Sequence, residues 1–153
     1  MLMSQMCERW AGDNYYVQRD HILGSKPWLL KVVLGYVIYR DRLQALHAQG
    51  SGRLSAGEQR TTRHEIWQAI DEALVERRRR AVAENQAANS KAPFWYLGGQ
   101  QATEADAVLF GFINSALIAR ASPDTMQFVR GLPAIMDYAE RIHGAYFPDY
   151  QRW

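Results

Sequence analysis

Residues 94–111 read Phe94-Trp95-Tyr96-Leu97-Gly98-Gly99-Gln100-Gln101-Ala102-Thr103-Glu104-Ala105-Asp106-Ala107-Val108-Leu109-Phe110-Gly111. The first six residues are a bulky apolar cluster closed by two glycines, the composition of a loop plugged into a core. Thr103 and Asp106 then stand three apart ahead of an apolar run. At that spacing Thr103 is placed to accept from the N–H of Asp106, and the Asp106 carboxylate to reach back to the N–H of Thr103. That is a capping box, with the carboxylate at the positive end of the helix dipole. From Ala107 to Ala119 the chain is apolar nearly all round. A helix without a polar face is expected in the middle of a domain.

The flanking sequence is helical on both sides. Leu2, Met6 and Trp10 recur every fourth position, one face of a helix that starts without a cap. Gly12-Asp13-Asn14 is a turn, and Tyr15 to Leu23 has mixed polarity that fits no single pattern. Pro27 opens another helix, with Ser25 or Lys26 near its cap. In it Leu29, Val32, Val33, Tyr36, Val37, Leu43 and Leu46 fit a 3.6-residue period, so a buried helix is expected from Trp28 to about His47. Ser55 and Glu58 form a second capping box, followed by a helix with Ile66, Ile70, Ala73 and Leu74 inward that runs to about Ala88. Asn85, Asn89 and Ser90 suggest fraying there. After the central run, Ser122-Pro123-Asp124 starts a short helix. Pro133 starts a last one, with Ile135, Met136, Ala139 and Ile142 inward. The expected fold is all-α: a single helical bundle of six to seven helices around a central buried helix, with residues 1–153 in one domain.

Composition narrows the function classes. The 18 basic and 16 acidic side chains leave a net charge of +2, too little to argue for a nucleic-acid surface. The longest apolar run, Pro27 to Tyr39, is interrupted by Lys31 and falls short of the roughly 20 residues of a membrane span, so no transmembrane segment is expected. The first residues lack the basic and apolar regions of a signal peptide. Cys7 is the single cysteine, which excludes an internal disulfide and is compatible with a reducing compartment. An intracellular, cytoplasmic protein is expected.

The 94–111 stretch is similar to the F-L-x-G-x-x-P-T-x-A-D-x-x-L-F-G signature of glutathione-transferase C-terminal domains, with Ala102 where that family often has proline. The end, Leu132 to Ile142 followed by Tyr146-Phe147-Pro148-Asp149, resembles the metaxin and failed-axon-connections branch. The resemblance implies a helical bundle that packs on an N-terminal thioredoxin-like domain, which in such proteins supplies most of the glutathione site. No βαβ pattern occurs in this chain, so the family's glutathione ligands have no positions to land on. The resemblance therefore implies a non-catalytic interaction or scaffold domain that binds no cofactor itself. Its partners would be a thioredoxin-like domain or another protein on an apolar face, or a second copy in a homodimer. The alternative is the hydrophobic-substrate half of a glutathione transferase, inactive alone, with glutathione bound only in a longer parent. Mitochondrial association would follow by analogy with metaxins only.

Candidate sites are few. Thr103 and Asp106 read as a structural cap rather than an acid–base pair. Trp10, Tyr15, Tyr16 and Trp28 are candidates for the lining of an apolar pocket, against the commoner role of such aromatics as core. Cys7 lacks the flanking cation or histidine that would activate a thiol. His21, His47, His64 and His143 lack metal-ligand spacing, and His64-Glu65 lacks the second histidine of a zinc-protease helix. Arg77 to Arg80 fan around a helix, with Glu76 in reach of Arg79 or Arg80 and the Arg77 stem expected over the core edge. No catalytic, cofactor-binding or metal-binding residue is expected.

Overall fold

A computed structural model describes residues 2–12, 14–83 and 92–153. Asp13 of the first turn, and the expected end of the long helix at Ala88 with its fraying at Asn85, Asn89 and Ser90, lie outside the described residues, as does the side chain of Leu2. The described residues form seven α-helices: α1 (Leu2–Arg9), α2 (Asn14–Leu23), α3 (Trp28–Ala48), α4 (Ala56–Ala83), α5 (Glu104–Ile118), α6 (Pro123–Arg130) and α7 (Pro133–Tyr146). One 3-10 turn, Ser51–Arg53, joins α3 to α4, and no strand occurs among the described residues. The all-α class expected from the periodicity is the class observed. The chain groups into two compact units, Met1–His64 with Ala119–Thr125, and Glu65–Ile118 with Met126–Trp153.

In the first unit the local signals start and stop the helices. Pro27 is itself the residue flanking α3, so the helix begins one position later than expected, at Trp28. Gly50, at φ +92°, closes the other end and donates its N–H to the His47 carbonyl. Ser55 and Glu58 bond reciprocally at the start of α4: the Ser55 N–H and hydroxyl donate to Glu58 Oε2 at 2.8 and 2.7 Å, and the Glu58 N–H donates to Ser55 Oγ at 3.3 Å. The ambiguous Tyr15–Leu23 segment is helical as α2. It approaches α3 at Gly35, where an added Cβ would lie 2.9 Å from the Tyr15 hydroxyl and 2.8 Å from Arg19 Cδ.

A buried acid organises this unit. Glu8, 7% exposed, accepts from the N–H groups of Asp124 (2.9 Å) and Thr125 (3.3 Å) and from the Thr125 hydroxyl, capping the start of α6. The buried Arg63 guanidinium is paired with Glu8 at 3.4 Å and with Asp124 at 3.1 Å. Asp124 also meets Arg60 at 2.7 Å and His64 at 3.0 Å. Burial works to raise the Asp124 carboxyl, but the bonds from Arg63 and His64 outweigh it and hold it below the usual range.

In the second unit, the buried line of α4 runs through Trp67, Leu74 and Ala81, with Ile66 and Ile70 only half-buried. Trp67, fully buried, is the inward residue that the periodicity assigned to its neighbour Ile66. Asp71 accepts from the N–H groups of Ala134 and Ile135, both at 2.9 Å, and so caps α7 behind Pro133. Helix α5 corrects the expectation of a helix buried all round. Leu109, Phe110, Ile113, Ala116 and Leu117 are buried, but Val108 is 57% and Ile118 65% exposed. Its apolar surface exceeds what the elements around it cover.

Candidate docking surface

Helix α3 carries the largest departure from the sequence reading. A buried helix was expected, yet Leu29 is 70%, Val33 60%, Tyr36 61% and Val37 57% exposed, and Val32 and Leu43 are each 40% exposed. Trp28, Leu30 and Leu34 are exposed as well. Only Gly35 and Leu46 of this helix are buried, with Lys31, Ile38 and Tyr39 half-buried. At 100° per residue, the exposed apolar positions between Trp28 and Val37 sweep an arc of roughly 240° around the helix axis. The physical reason for the error is that 3.6-residue periodicity reports apolar positions, not what lies over them. A helix apolar nearly all round normally has neighbours on nearly all sides, and α3 has them on one.

The neighbouring helix extends the patch, because Tyr16, Val17 and Ile22 of α2 are 55%, 43% and 47% exposed. An apolar patch of this size on a folded protein marks an interaction surface. From His21 to Arg40 the chain holds Lys26, Lys31 and Arg40 and no carboxylate, and the acids that flank this stretch, Asp20 and Asp41, are paired with Arg19 and Arg42.

The four aromatics considered for a pocket separate. Trp10 is buried, with its ring 6.2 Å from Tyr15. Tyr15 in turn meets Tyr16 at 5.2 Å and Tyr39 at 5.0 Å, and Arg19 lies over the Tyr16 ring at 5.4 Å. These rings pack against one another as a small satellite core. Trp28, 70% exposed, is not walled in as a pocket residue would be, and it belongs instead to the α3 surface.

Thr103 and Asp106 lie at the start of α5. The Thr103 N–H and hydroxyl donate to Asp106 Oδ2 at 2.8 and 2.7 Å, and the Asp106 N–H goes to the Thr103 carbonyl at 3.1 Å rather than to the side chain. The other carboxylate oxygen accepts from the Tyr96 N–H at 2.6 Å and the Tyr138 hydroxyl at 2.8 Å. Asp106 is 2% exposed. Burial acts to raise its carboxyl, and the four donors more than reverse that, leaving it below the usual range. Burial, reinforced by the bond to Asp106, pushes the Tyr138 phenol far up. A carboxylate committed to four protein donors has no free lone pair directed at a substrate, so the arrangement serves architecture.

Other candidates are accounted for in the same way. Cys7 is buried, and that burial raises its thiol, with Arg63 opposing. Such a thiol is a poor nucleophile. Arg77 donates to the Trp95 carbonyl at 3.1 Å beneath Gly98. Arg79 and Arg80 both bond Glu76, at 2.8 and 2.7 Å, which takes its carboxyl down to about 2. Arg78 lies 3.4 Å from Asp137. A shallow groove of about 380 Å³ between Val75, Val82, Pro133 and Ala134 is flanked by Arg78 and Arg79, whose charges these carboxylates already meet. No group of three metal-ligating side chains converges among the described residues.

No family model, curated protein or solved structure matches the chain. The residues most exposed to a partner, on α3, were legible as apolar but not as surface. Glu8, Arg63 and Asp124 were missed altogether, since Glu8 and Asp124 lie 116 positions apart and no local spacing links them.

Proposed function

We propose that this chain is a helical domain of the glutathione-transferase C-terminal type, akin to the metaxin and failed-axon-connections branch, and that it acts without catalysis by docking through α3. The observation that carries the docking role is the roughly 240° apolar arc of α3, left uncovered along Trp28–Val37. Leaving nine large apolar side chains of one helix at least 40% exposed is unfavourable in water by about 25 cal/mol for each Å². Function is the reason such a surface persists. Support for the family comes from α5, whose first turn is tied through Asp106 to the Trp95–Tyr96 loop, and from the proline-opened α7. Both lie in the stretches that carry the resemblance. Support for the absence of catalysis comes from Glu8, Asp106 and Asp124, whose carboxylates are engaged by structural donors.

The test compares the full chain with the Leu29→Ser/Val33→Ser variant in extracts of the cells that make it. Both residues point to solvent, so the variant keeps its fold by circular dichroism. The wild type is expected to sediment well ahead of a 17.6 kDa monomer, and the variant to sediment as one. Two monomeric profiles, with neither membranes nor a protein partner sedimenting with the chain, would refute the docking role. Tight glutathione binding by the purified chain would refute the non-catalytic one.

A further inference from the structure

We infer that the counter-surface of α3 is an anionic lipid bilayer, into whose interface the α2–α3 corner inserts. The inference rests on the docking role of α3 and names what it meets. Three observations point the same way. The first is the arc: one packed helix covers a single stripe of its neighbour, whereas an exposed apolar arc of roughly 240° calls for a medium or groove that surrounds it. The second is the distribution of charge and aromatic groups. Lys26 precedes the apolar stretch and Arg40 follows it, with no carboxylate from His21 to Arg40 and the next acid, Asp41, paired with Arg42. Lys26 and Arg40 are exposed, as are the amphipathic rings Tyr16, Trp28 and Tyr36. Cations and amphipathic aromatics around an apolar patch are the composition of an interfacial anchor.

The third observation is shape. Among the described residues no single helix is long and apolar enough to cross a membrane, whereas α2 and α3, bent by 117°, are together of sufficient length and apolarity. The bend falls at Gly24–Pro27, so Lys26 and Trp28 sit at the corner. A bent pair suits entry into one leaflet rather than passage through both. A second copy of the chain is disfavoured as occupant, because two-fold pairing would bring the same cations together and cover one stripe of the arc.

Purified full-length chain is tested by flotation with vesicles of phosphatidylcholine alone and of phosphatidylcholine with phosphatidylserine. Binding is expected to the anionic vesicles and to weaken as salt is raised. Lys26→Gln and Arg40→Gln are each expected to lower partitioning roughly fivefold, from about 1 kcal/mol per cation near an anionic surface. Leu29→Ser/Val33→Ser is expected to lower it at least tenfold. Leu97→Ser, at a position 68% exposed but outside α2 and α3, is expected to leave it unchanged. Failure of the wild type to float with anionic vesicles would overturn the inference, as would equal flotation of the Leu29→Ser/Val33→Ser variant. If the chain fails to float yet sediments in extracts as an α3-dependent complex, the lipid assignment falls and the docking role stands.

Discussion

Removing the Asp106 carboxylate tests the architecture of the second unit, because it withdraws the acceptor from four donors at once. In Asp106→Ala the Tyr96 and Thr103 N–H groups lose their partner, and the fully buried Tyr138 hydroxyl is stranded. Loss of a helix cap costs about 1 kcal/mol. An unpaired buried donor such as the Tyr138 hydroxyl adds roughly 2 kcal/mol, and the half-buried Thr103 and Tyr96 groups add less because water reaches them. The sum is about 3–4 kcal/mol. At about 2–4 °C per kcal/mol for a chain of this size, the thermal midpoint should fall by roughly 10 °C. Tyr138→Phe alone should cost about 1 kcal/mol, the net worth of one hydrogen bond. The double variant should be more stable than the two losses added together, since it leaves no stranded hydroxyl. Calorimetric melting of the four proteins decides the matter. A fall of less than about 2 °C in Asp106→Ala, or strictly additive losses, would refute the four-donor network.

Three further outcomes follow from the same geometry. Glu8→Ala should destabilise by about 3 kcal/mol in urea unfolding, because it uncaps α6 and removes one of the carboxylates paired with the buried Arg63. Asp106 and Asp124 both have folded-state carboxyls below their unfolded values near 3.9. Their contribution is thus complete above that value and lost as the pH falls through the lower folded-state one, so stability should drop below about pH 4 and drop less in Asp106→Asn. Gly98 and Gly99 share φ +87°, but a Cβ at Gly98 would lie 2.4 Å from Arg77 Nη2, whereas one at Gly99 meets nothing within 4 Å. Gly98→Ala should therefore lower the melting temperature more than Gly99→Ala.

What was legible in the sequence was local. The Ser55–Glu58 box, the stop at Gly50 and the proline-opened α7 each depend on residues within a few positions, and spacing alone places them. The pairing of Thr103 with Asp106 is of the same kind, although the Thr103 hydroxyl donates to the carboxylate where an acceptor role was expected. The donors that complete the Asp106 site were not legible, because Tyr138 comes from 32 residues away. Glu8 had no sequence signal for the same reason, since the donors it meets on α6 are 116 and 117 positions away. Helix α3 exposes a different limit. Its apolar residues were read correctly, and burial was inferred from them, but burial is a property of the neighbours as well. Lys26, Lys31 and Arg40, in a stretch without a carboxylate from His21 to Arg40, were the residues whose pattern distinguished a surface from a core.

Site-specific photo-crosslinking in living cells tests the role of α3 most directly. A photoreactive side chain at Val33 should give a specific adduct, and one at the equally exposed Leu97 should not. An adduct confined to Val33 is the expected result, and its lipid or protein chemistry names the counter-surface. Equal labelling at both positions, or none at Val33, would contradict a docking role for α3.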